Sequence, residues 1–174
     1  ICNGEIYNHK TLQEKYNIQT KSDSDCEVVL HMYKMFGFEE TCKQLDGVFS
    51  LIIYNSKTKK LFVGRDPYGV RPLFIGYNEF EELFLSSEMK CIYDETIYCK
   101  QFKPGYALEI DLTNGNKIFR NYYDFIYKID RIRDYDFILA GIKNKLISAV
   151  KKRLLSDRPI GALLSGGLDS SLIA

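Results

Sequence analysis

The sequence predicts an α+β chain in two parts, and three observations lead there. Helical periodicity opens the chain, and closely spaced β-rich runs between turn clusters fill its middle. A helix, a short apolar run, a glycine loop and a new helix close it. Hairpins this close together imply antiparallel sheets, because parallel neighbours need a long crossover. The closing order belongs to an α/β domain. A boundary is expected near residue 130, separating 1–130 from 131–174.

The elements follow in order. Residues 9–16 and 24–37 predict helices; in the second, Val28, Val29, Met32, Met35 and Phe36 form an apolar stripe that Gly37 ends. A short helix from Phe38 to Leu45 is expected to stop near Asp46-Gly47. Strands are predicted from Val48 to Tyr54, Leu61 to Arg65, Leu73 to Tyr77, Leu83 to Ser86, Tyr106 to Leu112 and Ile118 to Tyr122. Asn55-Ser56-Lys57, Asp66-Pro67-Tyr68-Gly69 and Thr113-Asn114-Gly115-Asn116 supply the turns. Between Tyr123 and Asp134, charges and aromatics mix without period. Tyr135 to Leu155 is the longest helical pattern, with Ile138, Leu139, Ile142, Leu146, Ile147 and Val150 on one face. Ile160 to Leu164 reads as a short buried strand, and Leu172 to Ala174 as the start of a helix.

Composition narrows the function classes. The 174 residues suffice for one medium domain, or for one domain and the start of another. A net charge of +1 gives no broad basic field, so nucleic acid is not an expected partner. No apolar stretch approaches the length of a bilayer span and no signal-peptide pattern is present, so no membrane role is expected. Five cysteines at irregular gaps, with no CxxC pair, argue against both a zinc site and a secreted disulfide framework. Reduced thiols in a cytoplasmic protein fit them best. The chain begins with Ile1 and stops inside an element, so it reads as truncated at both ends.

Four segments carry chemistry. Ser165-Gly166-Gly167-Leu168-Asp169-Ser170-Ser171 follows an apolar run and opens a helix, a place where unpaired N–H groups can hold phosphate. It differs from the common GxxxxGK[ST] loop in spacing and in lacking the lysine. A capped turn is the bland alternative. The hydroxyls of Ser165, Ser170 and Ser171 suit phosphate oxygens, and Asp169 suits magnesium. Asn3-Gly4-Glu5-Ile6-Tyr7-Asn8-His9 pairs a side-chain amide with a glycine N–H, which suits an oxyanion, and Glu5 suits an ammonium group. Asn-Gly is also a common hairpin turn. Ser22-Asp23-Ser24-Asp25-Cys26-Glu27 reads as a helix cap, as a ligand-binding acidic group, or as both. Gly64-Arg65-Asp66-Pro67-Tyr68-Gly69-Val70-Arg71-Pro72-Leu73 reads as a structural turn, with Arg65 and Asp66 expected to pair. His9 and His31 show no partner at useful spacing.

Together with Leu45-Asp46-Gly47-Val48-Phe49 and Ser86-Ser87-Glu88-Met89-Lys90, these segments run in the order found in the glutamine-dependent asparagine synthetases, and the chain resembles that family over nearly its whole length. The resemblance implies an N-terminal-nucleophile-type α/β/β/α sandwich of antiparallel sheets, here incomplete, then the start of an α/β ATP-pyrophosphatase-type domain. It implies that glutamine is hydrolysed to glutamate and ammonia. ATP would activate aspartate as β-aspartyl-AMP, and ammonia would convert this to asparagine. Asn3 and Gly4 match the family's oxyanion donors, and Glu5 and Asp25 match positions at the amino-acid end of glutamine. Leu163, Ser165, Gly166, Gly167, Asp169 and Ser170 match the nucleotide site, with Asp169 at magnesium. ATP, Mg2+, a cytoplasmic location and a homodimer of the longer protein belong to the same expectation.

Two departures follow. The family's nucleophile is a cysteine at the mature N-terminus whose own amine is the base, and it would lie upstream of Ile1, as would the arginine that grips the glutamine carboxylate. The 174-residue piece is therefore expected to be inactive alone. Cys2 has no free amine and is expected to be a buried structural cysteine. Related amidotransferases that aminate another carboxylate, or an inactive relic of this fold, are the competing readings.

Overall fold

Along the chain the elements are β1 (Cys2–Ile6), α1 (His9–Tyr16), α2 (Glu27–Phe36), α3 (Phe38–Gln44), β2 (Gly47–Asn55), β3 (Lys60–Arg65), β4 (Phe74–Tyr77) and β5 (Leu83–Ser86). There follow β6 (Tyr98–Gln101), β7 (Tyr106–Asp111), β8 (Lys117–Asn121), α4 (Tyr135–Arg153) and α5 (Leu168–Ile173). This computed structural model describes residues 1–127, 134–156 and 158–174. They form two compact units, Ile1–Phe125 and Ile126–Ala174. The boundary expected near residue 130 lies outside the described residues.

Period-two alternation decides the layering of the first unit. Sheet order is β1-β2-β3-β7-β8 in one sheet and β5-β4-β6 in the other, with every pair antiparallel. Phe49, Leu51 and Ile53 of β2, with Phe62 and Ala107, face a core built with Leu12, Val28, Val29, Met32, Phe38 and Cys42 of the helices. Val63, Leu108 and Ile110 turn to the opposite side and pack with Leu73, Ile75 and Phe102, against Leu83 and Leu85 of the smaller sheet. The result is helices, sheet and sheet in three layers, the incomplete sandwich that the family resemblance implies.

Several boundaries differ from the expectation. The sequence reading did not place β6. In α2 only Val28, Val29 and Met32 are buried, while Met35 and Phe36 lie at the surface. The Phe36 ring meets Tyr16 instead, with centroids 4.8 Å apart. Gly37 ends the helix with φ +79°, a backbone conformation that glycine adopts without steric cost.

In the second unit, α4 forms as expected, but none of its residues is buried. Ile160 to Leu164 is not the buried strand that its apolar character suggests. It has no regular structure and no ladder partner among the described residues, and Leu163 is 98% exposed. A strand needs a hydrogen-bonded neighbour, which an apolar run cannot supply for itself. Among the described residues, no helix is long and apolar enough to cross a membrane.

Candidate functional site

The outer edge of β1 is where the first candidate site forms. Strand β1 is the edge of its sheet, paired to β2 with Gly4 opposite Phe49. Phe49 directs both backbone groups away from β1: its carbonyl accepts from Asp66 N–H at 2.8 Å, and its N–H donates to Asp66 Oδ2 at 3.2 Å. Gly4 and Phe49 are therefore a non-hydrogen-bonded pair of the ladder, and Gly4 N–H points out of the sheet. A Cβ on Gly4 would lie 2.0 Å from the Val48 carbonyl oxygen, so the close approach of the two strands requires glycine. Asn3 is exposed beside it, and its amide has no hydrogen bond to the described residues. The Gly4 N–H thus faces the open edge, and the exposed Asn3 precedes it on the same strand.

Asp25 is brought to the same edge from the chain ahead of α2. Its Oδ2 accepts from Ile6 N–H at 2.6 Å. The acidic segment does not cap α2 with a side chain: the cap position is Cys26, with no side-chain bond. Glu27 gathers the preceding loop instead, accepting from Lys21 N–H at 2.8 Å, Ser22 N–H at 2.9 Å and Ser22 Oγ at 2.6 Å. The Ser22 hydroxyl and these backbone donors hold its carboxyl at about 2, well below the ordinary 4.5. The two carboxylates divide the work, Asp25 on β1 and Glu27 on the loop. Cys2 is half-buried rather than buried, with its sulfur 2.8 Å from that of Cys26.

Glu5 points to solvent, 3.9 Å from Arg71 Nη2. The sequence reading assigned Arg71 to a structural turn and gave it no place here. Its buried Nε has no hydrogen-bond partner among the described residues, so one face of the guanidinium is unsatisfied beside Glu5. The signal for it was the second arginine of the Gly64 to Leu73 segment. Both histidines also have partners the sequence did not suggest: buried His9 sets Nδ1 3.0 Å from Ile6 O, and His31 lies 3.7 Å from Glu27.

The expected Arg65–Asp66 pair does not form. Arg65 donates to the carbonyls of Arg71, Phe102 and Gly69 at 2.7–2.8 Å. Asp66 accepts from the N–H groups of Phe49, Tyr68, Val70 and Arg71. Each buried charge is satisfied by backbone, and together they fold the turn that carries Arg71 toward β1. Two cavities in this unit, of 310 and 540 Å³, lie elsewhere, around Phe38 and Arg120 and around Tyr68 and Tyr123. The candidate site is an open edge rather than an enclosed cavity.

The second candidate site is the loop before α5. Gly166 has φ +79°, and a Cβ there would meet nothing within 4 Å, so the backbone is open to an approaching group. Ser165 and Ser170 hydroxyls are 3.0 Å apart, while Ser170 and Ser171 donate to Gly167 O at 3.0 and 2.8 Å. Among the described residues, none accepts from the N–H groups of Gly166 to Ser170. The bend is not packed shut. Leu163 and Asp169 are exposed, and no cluster of three or more metal-ligating side chains occurs among the described residues.

Comparison with known proteins follows these two sites. A family model described as glutamine amidotransferase domain matches residues 1–130, and one described as asparagine synthase matches residues 141–174. A probable glutamine-hydrolysing asparagine synthetase of Acanthamoeba polyphaga mimivirus is 41% identical over 99% of this chain and 35% of its own length. The asparagine synthetases of Cricetulus griseus and Homo sapiens are 38% and 37% identical over the whole chain, again 35% of their length. The chain therefore spans about a third of the curated relatives it matches. Among solved structures, a B. subtilis glutamine phosphoribosylpyrophosphate amidotransferase, complexed with ADP and GMP, superposes with TM-score 0.59 and 26% identity over 72% of this chain and 29% of its own. An allosteric regulatory enzyme of purine biosynthesis shares the fold, with TM-score 0.61 and 20% identity over 99% of this chain and 41% of its own.

Proposed function

Since the chain belongs to the glutamine amidotransferase domain family through residues 1–130 and enters an asparagine synthase segment at 141–174, we propose that it is part of a glutamine-hydrolysing asparagine synthetase, a ligase built from a glutaminase domain (1–130) and an ATP-binding domain beginning at 131. At β1, glutamine is cleaved to glutamate and ammonia. At the terminal loop, aspartate and ATP form β-aspartyl-AMP and pyrophosphate, and ammonia then displaces AMP to give asparagine.

Each residue takes a role its position permits. The Asn3 amide and Gly4 N–H donate to the oxyanion that develops on the glutamine side-chain carbonyl, where fixed donors lower the barrier most. Asp25 and Glu5 receive the α-ammonium of glutamine from the same edge. The nucleophile is a cysteine upstream of Ile1, with its own amine as base. In the second unit, the open backbone at Gly166 and Gly167 and the hydroxyls of Ser165 and Ser170 receive the pyrophosphate of ATP, with Leu163 against the nucleotide.

Asp169, an exposed carboxylate in the first turn of α5, would supply an oxygen ligand to magnesium here. When bound, the ion neutralises charge on the phosphates. A cytoplasmic location and a homodimer of the longer enzyme belong to the same reading.

One observation carries the proposal: the outward Gly4 N–H and the Asp25 carboxylate, held by Ile6 N–H, share the open edge of β1, the strand that also carries exposed Asn3. In an enzyme carrying the N-terminal cysteine, Asn3→Ala should lower glutaminase turnover by roughly 10²–10³-fold, as loss of one oxyanion donor does. Ammonia release from glutamine measures it, and an unchanged kcat removes Asn3 from the mechanism.

A further inference from the structure

The sulfurs of Cys2 and Cys26 lie 2.8 Å apart although 24 positions separate them in sequence, so the fold itself creates the approach. That is about 0.8 Å longer than a disulfide bond. Both side chains are half-buried, whereas Cys42 is buried and Cys91 is exposed on another part of the unit. Cys2 begins β1 and Cys26 precedes α2, so the two thiols sit on the segments that carry Asn3, Gly4 and Asp25.

The pair is also chemically unequal. The sulfur–sulfur hydrogen bond lowers the pKa of Cys2, against burial and the Asp25 charge, with the N-terminal amine and the Arg71 charge assisting. The same bond, together with burial, pushes Cys26 up. Cys2 is thus the thiolate-forming member and Cys26 the proton-retaining one, the division of labour between an attacking and a resolving cysteine.

We propose that Cys2 and Cys26 form a reversible disulfide, with a low-molecular-weight disulfide such as oxidised glutathione as the oxidant, and that this bond ties β1 to the start of α2. The Cys2 thiolate attacks one oxidant sulfur, breaking its S–S bond and releasing one thiolate. Cys26 gives up its proton, attacks the Cys2 sulfur of the mixed disulfide and releases the second thiolate. Two electrons and two protons pass from the protein thiols to the oxidant, which ends as two thiols. The bond rests on the sulfur geometry; its position at a glutamine cleft rests on the function proposed above.

The test uses the 174-residue chain and reads no catalytic activity, so its failure and that of the glutaminase reading remain distinct. The chain is equilibrated in a series of glutathione redox buffers, free thiols are trapped with N-ethylmaleimide, and peptides are mapped by mass spectrometry. The expected product carries one internal bond joining Cys2 to Cys26, loses two of its five thiols, and regains them with dithiothreitol. Closing this loop should raise Tm by on the order of 5–10 °C. C26S should instead accumulate a glutathione adduct on Cys2 with no such rise. Glutathione adducts without the cross-link across the whole series, or a cross-link through Cys42, Cys91 or Cys99 in its place, would overturn the proposal.

Discussion

Four backbone N–H groups converge on the carboxylate of Asp66, a fully buried side chain without an ion-pair partner among the described residues. Removing it leaves those donors buried and unsatisfied, and breaking a buried charge arrangement in this way costs about 3–5 kcal/mol. Asp66→Ala should lower the unfolding free energy measured by urea titration by that much, and a change under about 1 kcal/mol would mean water replaces the carboxylate. The sequence suggested an Arg65–Asp66 pair, but consecutive residues at a strand end point to opposite sides. Adjacency in sequence therefore set them apart. Glu27 illustrates the opposite case, a half-buried carboxylate at the surface held by its donors. Its folded-state value near 2 lies below the ordinary 4.5, so its contribution is complete above about pH 4.5 and fades as pH falls toward 2. Carboxyl carbon NMR should show that low midpoint, with the Ser22 amide shifting in the same window; a midpoint near 4.5 would mean the loop does not hold Glu27 in solution.

At the scale of elements, legibility depended on whether a segment carried its own pattern. Strands β2, β3 and β7 alternate apolar residues between two cores, so period two revealed them. Strand β6 (Tyr-Cys-Lys-Gln) is mostly exposed and offers no alternation to read. Ile160 to Leu164 failed in the other direction, since apolar character announces burial but not the neighbour that would provide it. The β1–β2 pair adds a constraint that no pattern shows. Gly4 lies so close to the Val48 carbonyl that a methyl group would meet it at 2.0 Å, and backbone cannot yield as a flexible side chain does. Gly4→Ala should therefore cost about 1–3 kcal/mol through strain. Gly141 of α4 has open space around it, so Gly141→Ala serves as the comparison and should be neutral or stabilising by up to about 1 kcal/mol. Chemical denaturation of both variants measures the difference, and equal effects would refute the strained approach of β1 to β2.

Across the whole molecule, the residues proposed for glutamine all belong to Ile1–Phe125, and those proposed for the nucleotide all belong to Ile126–Ala174. The motifs were legible because each concentrates unusual chemistry in a few consecutive residues; the Arg71 and Cys2–Cys26 arrangements were not, because they join segments far apart in sequence. Separate units make a separable prediction. Asp169 is exposed in the first turn of α5, after a loop whose N–H groups donate to none of the described residues, so its removal disturbs little packing and takes away only a carboxylate for the metal–phosphate assembly. In the intact enzyme, Asp169→Ala should cut ATP-dependent asparagine formation by on the order of 10²-fold or more, whether ammonia comes from glutamine or is supplied free. Glutamine hydrolysis, measured as glutamate release without ATP, should change by less than about threefold. Sites with no shared partners add their effects, so the double variant with Asn3→Ala should show the hydrolysis loss of Asn3→Ala alone. If Asp169→Ala lowers hydrolysis as severely as synthesis, the two activities share one catalytic centre and the division drawn at residue 130 is wrong.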